Sequence, residues 1–255
     1  DYMRFDDFLV TQTTSTANAE AQFAFSLQTT VLARNFRQFR SDIEEDFSTP
    51  LNARYWWVGN QRAAGDYIQD SASPTNQTFL RINDTQGNSQ TFRLIRDDYG
   101  VQMFGAGTDR RTYSDSTDLY VTVLARIPNN QAGLVSLGAR VNTTVTGQSL
   151  EGYFLDMRKN DDGTVDFIAR YTTATEEVIY HEGAIPGAED AQLPIWIPLK
   201  IIVHDDKIAF FVNDYFIAAQ DNITKLGGVV SLSVGEGTTG DFDTLWVRDT
   251  SPHGE

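Results

Sequence analysis

The chain has 255 residues and no Cys, and its 35 Asp and Glu against 20 Lys and Arg give a formal net charge of -15. This excludes a disulfide framework and any thiolate metal site, and it sets long-range repulsion against nucleic acid and anionic membranes. No apolar run approaches the roughly 18 residues that a membrane span requires, and a chain of this length can bury a large core without covalent staples.

The first residue is Asp1, and nothing near it resembles a signal peptide. With a composition rich in Thr, Asn and Gln, this leads to the expectation of a processed, extracellular or cell-surface protein. Residues 2 to 11 alternate apolar and polar side chains and read as a strand, with Phe5, Phe8 and Val10 on its apolar positions. A polar connector follows. Leu32, Phe36, Phe39 and Ile43 then recur at helical spacing, so a helix is expected over the second half of the segment up to residue 44.

From residue 45 onward the pattern is that of strands. Two runs flank a turn at Thr85 to Asn88, and two more flank Pro128-Asn129-Asn130. Asp162-Gly163 sits between two alternating runs and is the strongest hairpin signal in the chain. His204-Asp205-Asp206 and Asn213-Asp214 mark two further turns, and Pro194 and Pro198 around Trp196 suit an edge or the start of a strand. Phe242 to Val247 forms a last strand that echoes the first, aligning Phe5 with Phe242 and Val10 with Val247. About a dozen short strands with little helix predict an all-β antiparallel sandwich. The expected organisation is an N-terminal strand and connector over 1–44, a sandwich over 45–250 and a tail over 251–255.

Particular phrases carry a resemblance. "EEDFSTPLNARYWWVG" resembles the opening of bacterial concanavalin A-like jelly-roll domains. "WIPLKIIVHDDKIAFFVNDYFIA", paired with the closing "GDFDTLWVRD", is similar to the last third of the laminin G-like and 3-keto-disaccharide hydrolase-like members of that superfamily. The resemblance spans residues 45 to 250. It implies a jelly-roll sandwich whose final Phe-Asp strand returns beside the first, and it speaks to fold more than to activity.

Several functions follow as expectations. Glucanases of this fold display Glu-x-Asp-x-Glu along one strand, with two carboxylates about 5 Å apart. That triplet is absent, so the chain is expected to be no enzyme. Glu176-Glu177 and the pair Asp156 and Asp166 are the nearest candidates, and strand and turn acids facing water explain them as well. The resemblance implies that Ca²⁺ is possible as a cofactor, with Asp161 and Asp162 of "KNDDGT" and the "HDD" turn as oxygen donors, although a turn also explains Asp-Asp-Gly. His181, His204 and His253 lack the spacing of a zinc site and read as surface residues.

Tyr55, Trp56 and Trp57 form the densest aromatic cluster, suited to stacking on sugar rings, and alternation should send one of the two Trp inward. The first expectation is therefore a structural or adhesive protein that self-associates head to tail through Phe5, Phe8 and Val10, building filaments by strand addition. The alternatives are a lectin-like module that binds a cell-surface glycan or protein, and a glycan-active hydrolase.

Overall fold

A computed structural model describes residues 42–47, 56–58, 61–62, 66–69, 78–84, 90–94, 118–128, 132–141, 151–173, 175–187, 195–225 and 227–249. Every regular element in it is a strand. In chain order these are β1 (Asp42–Glu45), β2 (Trp56–Val58), β3 (Gln61–Arg62), β4 (Asp66–Gln69), β5 (Thr78–Asn83), β6 (Gln90–Leu94), β7 (Leu119–Arg126) and β8 (Gly133–Val141). They continue with β9 (Gly152–Lys159), β10 (Val165–Thr172), β11 (Glu177–Ala184), β12 (Ile197–His204), β13 (Lys207–Val212), β14 (Tyr215–Gln220), β15 (Val229–Val234) and β16 (Thr239–Asp249).

The strands form two antiparallel sheets of eight. The first runs β14-β13-β12-β7-β16-β5-β4, with β1 also on β16, and the second runs β11-β10-β9-β8-β15-β6-β2-β3. Alternation along each strand builds the core between them. Val121, Val123 and Ala125 of β7 meet Val135, Leu137 and Ala139 of β8, with Leu155, Ile201, Phe210, Leu232 and Phe242 in the same cluster. Period-two alternation explains why the intervening residues face outward from each sheet.

Local turn chemistry explains three hairpins. Val212 pairs with Tyr215 across Asn213-Asp214, both of which take positive φ (50° and 62°), the backbone that suits the right-handed twist of the flanking strands. His204 pairs with Lys207 across Asp205-Asp206. The Asp162-Gly163 signal also marks a hairpin, but its loop is five residues long, closing at Lys159 and Val165 with Gly163 at φ 87°. The turns near 85–88 and 128–130 join strands of different sheets, since β5 and β7 belong to the first and β6 and β8 to the second. A turn signal reports a change of direction and does not say which strand lies alongside.

The closing strand is central. β16 pairs with β7 on one side, and on the other with β5 along its first half and β1 along its second. Ile43, expected at a helical position, lies in β1 opposite Val247. Phe5, Phe8 and Val10 lie outside the described residues, as do Leu32, Phe36 and Phe39. Pro198 is the second residue of β12, and its carbonyl accepts a hydrogen bond from Asn213 N.

Candidate functional site

Paired residues share a face, so register maps what the outer face of the second sheet carries. One row runs Ser233, Ser136, Asp156, Ile168, Glu182, and the next runs Ser231, Gly138, Phe154, Arg170, Ile179. Beyond Ser231 this second row continues through Arg93 to Trp57. Trp56 pairs with Leu94, which pairs with Val230, a core residue. Register thus aligns Trp57 with the row of Ser231 and Trp56 with that of Val230; Tyr55 lies outside the described residues.

Arg170 is the best-anchored group on this face. Its Nε donates to Asp156 at 2.5 Å, and its Nη1 donates to Thr172 Oγ1 at 2.7 Å and to Glu177 at 2.8 Å. The guanidinium stands over the Phe154 ring, 5.1 Å from its centroid. From the other side Ser136 Oγ donates to Asp156 at 2.5 Å. Asp156 is fully buried, and burial pushes its carboxyl up against the opposing pull of Arg170. For Arg170 burial acts to lower its affinity for a proton, and the charges and hydrogen bonds of Asp156 and Glu177 together more than offset this, so the guanidinium is held above its ordinary value. Its Nη2 has no protein partner among the described residues, and its side chain is 18% exposed.

A second arginine stands two rows along on the same face. Arg158 reaches Asp166 at 3.3 Å and Glu182 at 3.9 Å, and its buried Nε has no hydrogen-bond partner among the described residues. The hydroxyl of Ser231 is likewise buried and unpartnered. A Cβ on Gly138 would come within 2.3 Å of that hydroxyl, so glycine is what lets Ser231 and Phe154 approach. The result is a polar floor that grades from buried Ser136 and Asp156 to exposed Glu177 and Glu182 at the β11 edge.

The acids considered as a catalytic pair are each tied to a different arginine, Asp156 to Arg170 and Asp166 to Arg158. Asp162 spends its Oδ1 on Thr164, accepting from the backbone N at 2.9 Å and the hydroxyl at 2.6 Å, and these bonds hold its carboxyl below the ordinary range. Asp161 is exposed beside it in the same loop.

At one end of the sandwich the "HDD" turn joins Asp118, which the sequence did not point to, and His204, expected at the surface, is buried. Its Nδ1 lies 3.0 Å from Asp118 and its Nε2 3.4 Å from Asp205, and donor atoms of these three residues lie within 4.8 Å of one another. Asp118 precedes β7 and His204 ends β12, so only the pairing of these strands reveals the contact. The set has donors for a cation, but Arg140 already supplies positive charge. Its guanidinium donates to the Asp205 carbonyl at 2.6 Å and the Lys225 carbonyl at 3.0 Å, and burial lowers its pKa to about 10 despite these acids. This cluster closes the end of the sandwich.

No protein-family model matches the sequence, and no curated protein matches it. Solved structures do match. The chain is similar to a protein of unknown function with a galectin-like fold from Bacillus subtilis, at 10% identity and a TM-score of 0.53, over 83% of this chain and 97% of that one. It is similar to the CBM2 module of the evolved Dit of Lactobacillus casei BL23 phage J-1, at 7% identity and 0.52, over 83% and 96%. The carbohydrate recognition domain of Emp47p matches at 8% identity and 0.50, over 82% and 94%. Identities this low carry the fold and nothing finer. The chain has a concanavalin A-like jelly-roll fold, two antiparallel sheets, each of eight strands among the described residues, packed face to face.

Proposed function

We propose that the chain is a non-catalytic carbohydrate-recognition module that binds a glycan on the outer face of the second sheet. One observation carries the reading: Arg170 is fixed by three side chains and a ring, its Nη2 has no partner among the described residues, and its side chain is 18% exposed. A preorganised donor loses little freedom on binding a sugar hydroxyl. The exposed carboxylates of Glu177 and Glu182 supply acceptors around it. Trp57 stands five strands away in the same row, roughly 24 Å at the usual strand spacing, which suits an extended chain of sugars. One of the similar structures is named a CBM2 module and another a carbohydrate recognition domain, which supports the same reading. A glycan array followed by calorimetry on the strongest hit tests it. Binding that falls at least tenfold in Arg170→Gln supports the assignment, and silence across the array sinks it.

A second reading, assembly by strand addition, draws on the β11 edge. This strand ends its sheet, is exposed along most of its length, and presents Val178 and Ile179 at 37% and 48% exposure. An unprotected edge is a template for another strand. If the N-terminal strand with Phe5, Phe8 and Val10 adds to a neighbouring copy there, removal of residues 1–12 lowers the particle mass seen by light scattering. An unchanged mass rejects it.

A further inference from the structure

The outer face of the first sheet carries the ion pairs of Asp241 with Arg81 and Arg126 and, farther along, an apolar patch. Tyr120, Ile202, Ala209 and Phe211 form an apolar cluster there, with Phe216, Ala219 and Trp246 packed against it. Tyr120, Ile202, Ala209 and Ala219 lie in one register row across β7, β12, β13 and β14. The second sheet cannot shield this face, because it packs on the opposite side. Ile202 and Ala209 are nevertheless 0% exposed, and among the described residues all members of the cluster belong to the sheet itself. Side chains at the centre of a bare sheet face stay in contact with water, so something covers them.

The start of β1 indicates what. Asp42 pairs with Arg248, and Arg248 pairs with Tyr120, so the chain preceding residue 42 joins the sheet at the end of this same row. We infer that residues 23–41 of the same chain are the cover, laid across the outer face of the first sheet. Phe25, Leu32, Phe36 and Phe39 supply apolar side chains, the last three at helical spacing. Between Glu20 and Asp42 the only charged residues are Arg34, Arg37 and Arg40, a basic segment on a chain of net charge -15. The reach is sufficient: the row from β1 to β14 spans roughly 24 Å, and this segment as a helix would be about 28 Å long. The cover would occupy the first sheet and leave the polar face of the second free.

The absence of Cys makes the test direct, since any disulfide formed is an engineered one. Ala219→Cys is combined in turn with Phe25→Cys, Leu32→Cys and Phe36→Cys in the full chain, and the products of mild oxidation are read by mass and non-reducing electrophoresis. An intrachain disulfide in at least one pair is expected, formed in the monomer and independent of protein concentration. Disulfide-linked dimers would assign the cover to a second copy, and free thiols in all three pairs would remove this segment from the face; either overturns the inference. As a second readout, hydrogen exchange in Phe36→Asp/Phe39→Asp should rise at least tenfold for amides of β13 and β14 while β8 stays protected. Unchanged exchange at β13 and β14 counts equally against it.

Discussion

Arg170 and Asp156 show how one buried charge depends on another. Removing the guanidinium in Arg170→Ala leaves Asp156 fully buried with only Ser136 beside it, and breaking such a pair costs about 3–5 kcal/mol. Urea denaturation should register that loss, whereas the double variant Asp156→Leu/Arg170→Met should lie closer to the wild type than either single change. A double variant as unstable as the sum of the singles would contradict the coupling. Tyr171 gives a pH signature of its own. Burial, followed by its hydrogen bond to Glu151 at 2.9 Å, pushes the phenol from its ordinary 10.0 to about 12. The folded chain therefore holds the proton over a range in which the unfolded chain has released it, and stability falls as pH rises from about 10 to about 12. Tyr171→Phe should flatten that decline in denaturation midpoints measured across the range; an equal slope in both proteins would assign the decline to other groups. Neither partnership was legible in the sequence. Asp156 and Arg170 were visible as strand residues, but their contact depends on the register of β9 against β10, which the five-residue loop between them sets.

A bulge in β8 shows how one strand accommodates its neighbour. The register against β15 shifts between Val229 and Ser231, and there Arg140 takes a φ of 51°. That backbone is unusual for a bulky residue, and the two carbonyls held by the Arg140 guanidinium fix it. Gly228 lies against the bulge, where a Cβ would fall 2.1 Å from the carbonyl carbon of Arg140. Because the obstacle is backbone, Gly228→Ala can be relieved only by moving a strand, at a cost of about 1–3 kcal/mol or more. Thermal unfolding would show a lowered Tm, and an unchanged Tm would mean that the two strands part easily. Elements such as these were partly readable. Asn213-Asp214 announced its hairpin because the turn's positive φ is a property of the residues themselves. The runs around Thr85 to Asn88 announced a turn equally well and yet fall in different sheets, since local chemistry carries no record of what lies alongside.

Across the whole molecule, the outer face of the first sheet carries an apolar cluster around Ile202 and Ala209, and that of the second carries the charged groups around Arg158 and Arg170. The sandwich itself was legible because alternation and turn residues repeat over about a dozen runs of the sequence, and errors at single turns do not disturb the class. The charged face was not, being assembled from β15 and β8 to β11, whose neighbours are set only in the fold. Its charge nevertheless follows the composition: around Arg158 and Arg170 stand four carboxylates, Asp156, Asp166, Glu177 and Glu182. With a net charge of -15 behind it, that excess of negative charge repels uronate or sulfated glycans before contact and leaves neutral ones unaffected. Neutral oligosaccharides should therefore bind at least tenfold more tightly than their uronate counterparts at low salt. Raising ionic strength from about 0.01 M to 0.15 M shortens the screening length from about 30 Å to about 8 Å. The gap should then narrow, because affinity for the anionic ligand rises while that for the neutral one holds. If anionic glycans bind more tightly and lose affinity with added salt, the arginines rather than the carboxylates govern the face. The site would stand in that case, and its proposed selectivity would be reversed.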